Sequence, residues 1–491
     1  MATAAGPGAT SGRAAAGAPP ARLPLRLVAG WGLGTLAGGI LFNTTGVLLL
    51  RYLTDYIGLA AGLAGLLIAS SKVYDALTDP VMGWISDNTR SRFGRRRPWL
   101  LVGGVLCALA LVALFNVPTG LAGGARVAWV MAVLLFYATA YTVLTVPYMA
   151  MPAEMTTDYQ ERARLMSWRV GFAGVAQVTA GYAAPMLVLA YGDGSRGHGL
   201  MSATLAVAVL ASGLACFALT RSAHATGPAV AAAGPAGAAS GAAAPRAPLA
   251  LGEQLRAVAG NRPFVLLILS KFALLLSVAS FGATFAYFVV HVLQATYALL
   301  GTFAVVSTAA MLGSLPVWVQ VIRRVDKRRA FMLAAVAYAL LAMSWLLAGP
   351  GEPTATLLLR GAAMGVLGCG TLLAGQSLLP DAIEYDYLRH GERREALFAG
   401  FYTMAEKFAS ALGVAVTGLF LGAMGYVSSS GGAMVRQPDS ALFAISIAVG
   451  AIPAAMLLAS AALIFYYDLG ERRLVALRAA ARDTGNGGGE P

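Results

Sequence analysis

The sequence predicts an all-helical, polytopic membrane protein in which twelve transmembrane helices form two six-helix bundles. Of its 491 residues, 58% are hydrophobic and only 12% are charged, about half the charged fraction of an ordinary soluble domain. Apolar runs close to the ~20 residues that cross a bilayer recur from Leu27 to Tyr467. This pattern excludes a soluble protein and a secreted protein with a single anchor.

Twelve segments share this length and apolar character, and each is expected to span the membrane: residues 27–50, 59–86, 98–116, 126–150, 166–191, 199–220, 263–291, 297–322, 329–348, 354–380, 395–423 and 440–467.

A linker divides the chain between the sixth and seventh spans. Thr226 to Pro248 consists almost wholly of Ala, Gly and Pro, a composition that cannot bury a core. The predicted organisation is a cytoplasmic tail, a six-helix bundle, a cytoplasmic linker, a second six-helix bundle and a second cytoplasmic tail. Their bounds are residues 1–26, 27–220, 221–262, 263–467 and 468–491.

The formal net charge of +13 is distributed as in a membrane protein rather than a nucleic-acid binder. Basic residues concentrate after spans 2, 8 and 12, whereas loops of the opposite parity carry few. This positive-inside pattern predicts an inner-membrane protein with both termini in the cytoplasm. The expected partners are a small-molecule substrate and membrane lipid, with no nucleic acid and with a monomer as the functional unit.

The two halves also resemble each other in topology. The loop after the second span of each half is strongly basic, at residues 88–97 and 323–329. Two six-helix halves related by an axis along the membrane normal are the major facilitator arrangement, with the substrate site between the halves near the midplane. The three cysteines lie within apolar spans without metal-ligand spacing, so no cofactor or metal is expected beyond a coupling ion.

Ionisable residues within the second span indicate an ion site. Lys72, Asp75, Thr78 and Asp79 recur at intervals of three or four and share one helix face. Asp75 lies roughly 20 Å from the cytoplasmic end of its helix. Two carboxylates one turn apart in a low dielectric share a proton or hold a cation, and Thr78 together with Thr142 of span 4 could add hydroxyl ligands. The alternative is an internal Lys72–Asp75 ion pair that only joins helices.

Two further lysines fall within spans of the second half. Lys407 in span 11 could pair with the span-2 carboxylates across the central cavity; alternatively, it neutralises the adjacent Glu406 or extends toward the interface. Lys271 lies nine residues into span 7, where it could contact substrate or face a hydrated crevice.

Residues 72–99, read as KVYDALTDPVMGWISDNTRSRFGRRRPW, closely resemble the signature of the glycoside-pentoside-hexuronide:cation symporter family, which includes the melibiose carriers. The resemblance runs from about residue 30 to residue 470. It implies that Asp75, Asp79 and Thr142 bind Na⁺, Li⁺ or H⁺. The family has an asparagine where this chain has Thr78, which removes a carbonyl ligand and makes H⁺ at least as good a candidate as Na⁺.

The sugar site departs from that of the melibiose carriers. The carboxylates that recognise galactosyl hydroxyls there correspond to Gly39 and Thr145 here. Polar and aromatic side chains of the spans could rebuild a site, and the candidates are Asn43, Tyr141, Thr145, Tyr148, Trp168, Arg169, Lys271, Gln376, Tyr402 and Lys407. Because Lys271 and Arg169 lack an obvious acidic partner in the sequence, an anionic substrate such as a hexuronide is one hypothesis.

These observations favour a secondary transporter that couples H⁺ or Na⁺ to a small organic solute, foremost a sugar, glycoside or hexuronide. The alternative is a carrier of a non-sugar solute such as a lipid. Acidic residues near Asp381 do not favour an enzyme, since they lie at a cytoplasmic helix end beside basic loops and suggest a gate of ion pairs. The predicted gate residues are Asp87, Arg92, Asp381, Glu384, Arg393 and Arg394.

Overall fold

The computed structural model describes residues 22–156, 159–192, 194–222, 251–390, 394–432 and 435–469, together with Arg473 and Leu477. The described residues are almost entirely helical, with one isolated antiparallel bridge between Ile57 and Ser430. The predicted all-helical fold is therefore confirmed. Arg393 and most of the predicted tails and linker lie outside the described residues.

Twelve spans follow one another along the described chain. Five of them contain a second helical segment or a π turn: span 1 (Leu25–Thr44, Thr45–Leu49), span 5 (Tyr159–Val178, Thr179–Ala183, Ala184–Ala190), span 7 (Arg262–Tyr287, Phe288–Val292), span 9 (Lys327–Met343, Ser344–Leu347) and span 12 (Asp439–Val449, Ala451–Phe465). The others are span 2 (Ala61–Asn88), span 3 (Arg97–Leu114), span 4 (Gly123–Met155), span 6 (Ser195–Leu219), span 8 (Tyr297–Val325), span 10 (Thr354–His390) and span 11 (Glu395–Ala423). A short helix, Leu251–Gly260, precedes span 7 within the predicted linker.

The second span differs from the other eleven in composition. Among the described helices, eleven are long and apolar enough to cross a membrane, and Ala61–Asn88 is not one of these. Its 28 residues would reach about 42 Å, but they include Lys72, Asp75, Asp79 and Asp87. A helix with four ionisable residues can lie in a bilayer only if most of them face protein or a hydrated cavity.

Span 10 is longer than the sequence indicated. It continues to His390, ten residues beyond the predicted end at 380. Asp381 and Glu384 therefore lie on the helix itself rather than in a loop after it, which changes the neighbours that they can reach.

The two bundles meet at several pairs of spans, and glycine allows two of these close approaches. Span 2 packs against span 11, where a Cβ on Gly418 would lie 2.6 Å from the carbonyl oxygen of Ala61. Span 5 packs against span 8, where a Cβ on Gly181 would lie 2.5 Å from Cβ of Ala304. Only a residue without a side chain permits backbones this close.

The outer surface of the described helices carries many large apolar side chains. Leu340, Leu347 and Leu359 are each about 70% exposed or more. A surface of this kind suits contact with lipid rather than water, in agreement with a multi-pass membrane protein.

The glycine contact between spans 2 and 11 generates a prediction. Gly418→Leu should separate the two bundles at the end of the molecule opposite the basic loops, since the leucine side chain would overlap the backbone of Ala61. Distances between spin labels placed on spans 2 and 11 at that end should increase. Gly400→Leu on the same span is the matched control, because a Cβ at Gly400 meets no atom within 4 Å. Unchanged distances in Gly418→Leu would contradict the packing.

Candidate ion and substrate site

The centre of the interface between the bundles holds a lysine between two carboxylates. Lys407 Nζ of span 11 donates to Asp75 Oδ2 at 2.7 Å and also to Asp79 Oδ2 of span 2. Thr142 Oγ1 of span 4 donates to Asp75 Oδ1 at 2.6 Å and to Asp79 Oδ1 at 3.1 Å. One ammonium and one hydroxyl thus join both carboxylates, and three spans contribute to the cluster.

The charged side chains of the site are largely buried, so water screens their charges only weakly. Asp75 is 9% exposed, and the side chains of Asp79 and Lys407 are 27% and 22% exposed. Two carboxylates and one ammonium leave a formal charge of −1 when all are ionised. A small cation or a proton can complete the neutralisation, since the four carboxylate oxygens and the Thr142 hydroxyl are the hard ligands that such ions prefer.

The alternative hypothesis, an ion pair between Lys72 and Asp75, is wrong. Lys72 Nζ lies 4.9 Å from the centroid of the Phe42 ring, and in the described part of the chain no carboxylate lies within 4.0 Å of it. The lysine that pairs with Asp75 is Lys407, as the cross-cavity hypothesis expected. The Thr78 hydroxyl donates to the backbone carbonyls of Tyr74 and Asp75, so its role as a cation ligand stays a prediction.

Several residues predicted to bind substrate from the first bundle instead bond within that bundle. The Tyr148 hydroxyl lies 2.7 Å from Thr35 Oγ1, and its ring stacks on Trp31. Asn43 Nδ2 donates to the carbonyl of Gly39, and Thr145 Oγ1 donates to that of Tyr141. These hydrogen bonds hold the three side chains within the first bundle, and the part that their remaining polar atoms play in a substrate site stays a prediction.

The position of Gly39 explains why the melibiose-type carboxylate is absent in span 1. A Cβ at Gly39 would lie 2.6 Å from Cβ of Ala176 in span 5. An aspartate would therefore require these spans to move apart.

Two other candidates of the first bundle remain near the cavity. The Tyr141 ring lies 6.3 Å from that of Phe42. Arg169 is half-buried, its Nε has no hydrogen-bond partner, and it forms no ion pair among the described residues. Arg169 therefore remains a candidate donor for a substrate.

The second bundle brings Lys271, Gln376 and Tyr402 together in one cleft. Lys271 Nζ lies 3.0 Å from Glu406 Oε1 and 3.1 Å from the centroid of the Tyr402 ring. The premise that Lys271 lacks an acidic partner is therefore wrong, and so is the alternative in which Lys407 neutralises Glu406. Sequence reasoning missed this pair because the two residues are far apart in the chain and belong to different helices.

The predicted gate residues of the first bundle, Asp87 and Arg92, contact different partners. Asp87 accepts from Arg96 at 2.8 Å, while Arg92 lies over the Phe93 ring. Arg95 and Arg96 also pair with Glu154 of span 4.

On the second bundle, Lys327 Nζ binds both oxygens of Asp381, at 2.7 and 2.9 Å. The longer span 10 explains this pairing, because it places Asp381 beside the start of span 9. Each of these pairs joins residues of a single bundle, so none of them closes the cavity between the bundles.

The bundles are instead locked at the opposite face, around Asp55. Arg51 Nε donates to Asp55 Oδ2 at 2.9 Å, and the Tyr426 hydroxyl of the second bundle donates to Oδ1 at 2.6 Å. His291 Nε2 lies 3.1 Å from the Tyr426 hydroxyl and 3.6 Å from Asp55 Oδ2. We call Arg51, Asp55, His291 and Tyr426 the opposite-face lock.

Backbone hydrogen bonds reinforce the opposite-face lock. The amide groups of Ser429, Gly431 and Gly432 donate to the carbonyls of Thr54, Tyr56 and Asp55. The sequence offered one signal for this contact, the Arg51–Asp55 spacing of four on a helix, but it could not show the partners from the second bundle.

Asp55 lies beyond the end of span 1, and its surroundings keep it ionised. Burial alone raises the pKa of a carboxyl group, but the nearby His291, the charge of Arg51 and the hydrogen bond from Tyr426 outweigh it. The pKa of Asp55 is therefore held below its usual value.

The sequence profile of the MFS/sugar transport protein family matches residues 30–471. The chain belongs to this family. The match confirms the resemblance, the fold and the prediction of a transporter rather than an enzyme.

The relatives and solved structures agree with this assignment. The transporter is 28% identical to YagG of Escherichia coli, provisionally named a glycoside/cation symporter, over 91% of this chain and 93% of that protein. It is 24% identical to the glucuronide carrier protein homolog of Escherichia coli, over 92% and 94%. A crystal structure of a D-xylose-proton symporter superposes with a TM-score of 0.59 at 13% identity, over 90% and 97%. The last similarity concerns the fold alone.

The opposite-face lock generates a prediction about conformation. Asp55→Asn should favour opening at that face, because removing one partner of a buried ion pair costs about 3–5 kcal/mol. Alkylation of single cysteines placed along span 7 from that face should become faster. Asp468→Asn, which alters an exposed ion pair, serves as the control. Equal alkylation rates in Asp55→Asn and the unmodified transporter would show that the lock does not hold the bundles.

The direction of the Asp55 shift sets the pH dependence of the lock. A carboxyl group with a lowered folded pKa contributes stability above its unfolded pKa of about 3.9, and this is lost as pH falls through the folded value. The closed opposite face should therefore persist between about pH 5 and pH 8. The same alkylation rates, measured across that range, check this. A marked increase in these rates within that range would contradict control of the lock by Asp55.

Proposed function

We propose that the transporter is a cation-coupled symporter of a sugar or glycoside, in which Asp75 and Asp79 bind the coupling ion. The observation that carries the proposal is the Lys407 ammonium, which lies between these carboxylates and comes from the other bundle. The family and its glycoside/cation-symporter relative support the sugar and the cation.

The geometry suggests how an ion would act on conformation. Lys407 and a coupling ion both require the oxygens of Asp75 and Asp79, so that ion binding weakens the contact with Lys407. Because Lys407 belongs to span 11, a weaker contact with Asp75 and Asp79 directly weakens the interface between the bundles. A ligand can shift a conformational equilibrium only through such a difference in affinity between states.

Either H⁺ or Na⁺ can fill this role. A proton would neutralise one carboxylate, which lowers the attraction for Lys407. A sodium ion would use carboxylate oxygens and the Thr142 hydroxyl, with water or substrate oxygens to complete its shell, since Thr78 is turned to its own helix. No resident cofactor is required in either case, and one chain contains both halves of the site.

The different contacts at the two ends of the molecule support transport by alternating access. The opposite-face lock closes one end, while the ion pairs described at the basic-loop face join residues within single bundles. We place the basic loops and both termini in the cytoplasm of a cell with this protein in its inner membrane, in line with the positive-inside rule. The structure then corresponds to a state closed toward the outside.

Removal of the coupling carboxylates tests the proposed function. Asp75→Asn and Asp79→Asn should each abolish accumulation of substrate against its gradient, because the site can no longer exchange one cation for another. Uptake into vesicles from a panel of labelled sugars, with Na⁺ and pH gradients imposed separately, measures this. Asp439→Asn, an exposed aspartate at the start of span 12, is the control. Accumulation that survives in both variants would remove Asp75 and Asp79 from the coupling role.

The contact of Lys407 with the two carboxylates also predicts an effect on thermal stability, which is measured without a transport assay. Lys407→Gln should lower the thermal stability of the purified transporter markedly, since breaking a buried pair costs about 3–5 kcal/mol. The double variant Lys407→Gln/Asp75→Asn should recover part of the loss, because one uncompensated charge is removed with its partner. Additive losses in the double variant would mean that the two side chains do not interact.

A further inference from the structure

The cleft in the second bundle is a second polar site next to the ion site. Its polar lining comprises Ser270, Lys271, Thr371, Gln376, Tyr402 and Glu406. Glu406 is adjacent in sequence to Lys407, which reaches across to span 2, so the cleft lies close to the interface between the bundles. Lys271 is nine residues from the start of span 7 and Glu406 eleven from the start of span 11, which places both about 15 Å along their helices.

The charges of this cleft balance each other. The Lys271 ammonium is paired with Glu406 at 3.0 Å, with side-chain exposures of 10% and 47%. Oε1 of Glu406 engages Lys271, while the exposure of the carboxylate leaves it accessible from the cavity. The site therefore presents an ammonium donor and a carboxylate acceptor side by side, with no net charge.

This arrangement discriminates between neutral and anionic ligands. A hydroxyl group can donate to Glu406 and accept from Lys271 without separating the two. A carboxylate can bind Lys271 only by competing with Glu406, whose own charge repels it. Charge-assisted hydrogen bonds are about twice as strong as neutral ones, so a hydroxyl gains from both partners.

The size of the cleft limits what enters it. Its volume of about 40 Å³ is a few times the roughly 10–15 Å³ that holds one water molecule, so the cleft admits a group of a few non-hydrogen atoms. One hydroxymethyl or hydroxyl group of a sugar fits, while the rest of the ring remains in the cavity between the bundles. The Tyr402 ring lies beneath the Lys271 ammonium and helps to hold it in the cleft.

We infer that Lys271 and Glu406 form a substrate-binding pair that selects a neutral polyhydroxylated ligand over one bearing a carboxylate. This inference rests on the proposed function and names the substrate class of the same cavity. It reverses the expectation that Lys271 would attract a hexuronide, because that expectation required an unpaired lysine.

Matched ligand pairs test the selectivity directly. Binding of nitrophenyl glucoside against glucuronide, and of nitrophenyl galactoside against galacturonide, is measured by calorimetry with the purified full chain in lipid nanodiscs. Within a pair, only the hydroxymethyl group is replaced by a carboxylate. The neutral member of a pair that binds should do so about 10-fold more tightly or better, as expected for a hydrogen bond to a charged group.

Glu406→Gln isolates the cause of this preference. The variant frees Lys271 from its acidic partner, and the uronide should then bind at least as tightly as the neutral glycoside. Glu352→Gln alters a comparable ion pair with Arg360 in the same bundle and should leave the preference unchanged. If Glu406→Gln does not fold, the charge-free pair Lys271→Gln/Glu406→Gln should bind both members of a ligand pair within about 3-fold of each other.

The outcomes separate this inference from the proposed function. Preference for the uronide in the unmodified transporter, or a neutral preference that persists in the folded Glu406→Gln variant, overturns the inference while gradient-driven sugar uptake stands. Failure of every ligand to bind, together with absence of gradient-driven uptake of any sugar in vesicles, overturns both.

Discussion

The ammonium of Lys407, held between Asp75 and Asp79, is the interaction on which the arrangement of the bundles depends at the centre of the molecule. Two carboxylates on one turn of a membrane helix are unfavourable unless a cation compensates them. Here the compensating group is carried by the other bundle. The contact of Lys407 with the carboxylates is therefore weakened by any other cation that binds their oxygens. The glycine contacts at Gly418 and Gly181, by contrast, depend on shape alone.

Much of this could be predicted from the sequence, for identifiable reasons. The spans follow from apolar length, and the Asp75–Asp79 face follows from helical periodicity, since both are properties of one segment. The cross-bundle role of Lys407 followed from topology. Thr142 was correctly associated with the carboxylates through the family resemblance. The inferences about the spans, the carboxylate face and Lys407 needed only local spacing or the order of the helices.

The errors share a different origin, since they concern side chains from separate helices. The Lys271–Glu406 pair joins spans 7 and 11, and no spacing rule relates them. Asp381 was placed in a loop because span 10 was ended ten residues early; on the longer helix it pairs with Lys327. The internal hydrogen bonds of Tyr148 and Asn43 likewise involve partners that no spacing rule indicates. Residue type does not reveal whether a donor is free.

Glu406 and Lys407 share a peptide bond while their side chains bind different partners, one in the second bundle and one in the first. A rigid shift of span 11 cannot move one of these groups without moving the other. Under the roles proposed for these residues, binding of the ion changes the affinity of the transporter for sugar. By thermodynamic reciprocity, binding of sugar must then change the affinity for the ion by the same factor. The energetic link between the two cargoes would then pass through a single backbone unit rather than through a long path of side chains.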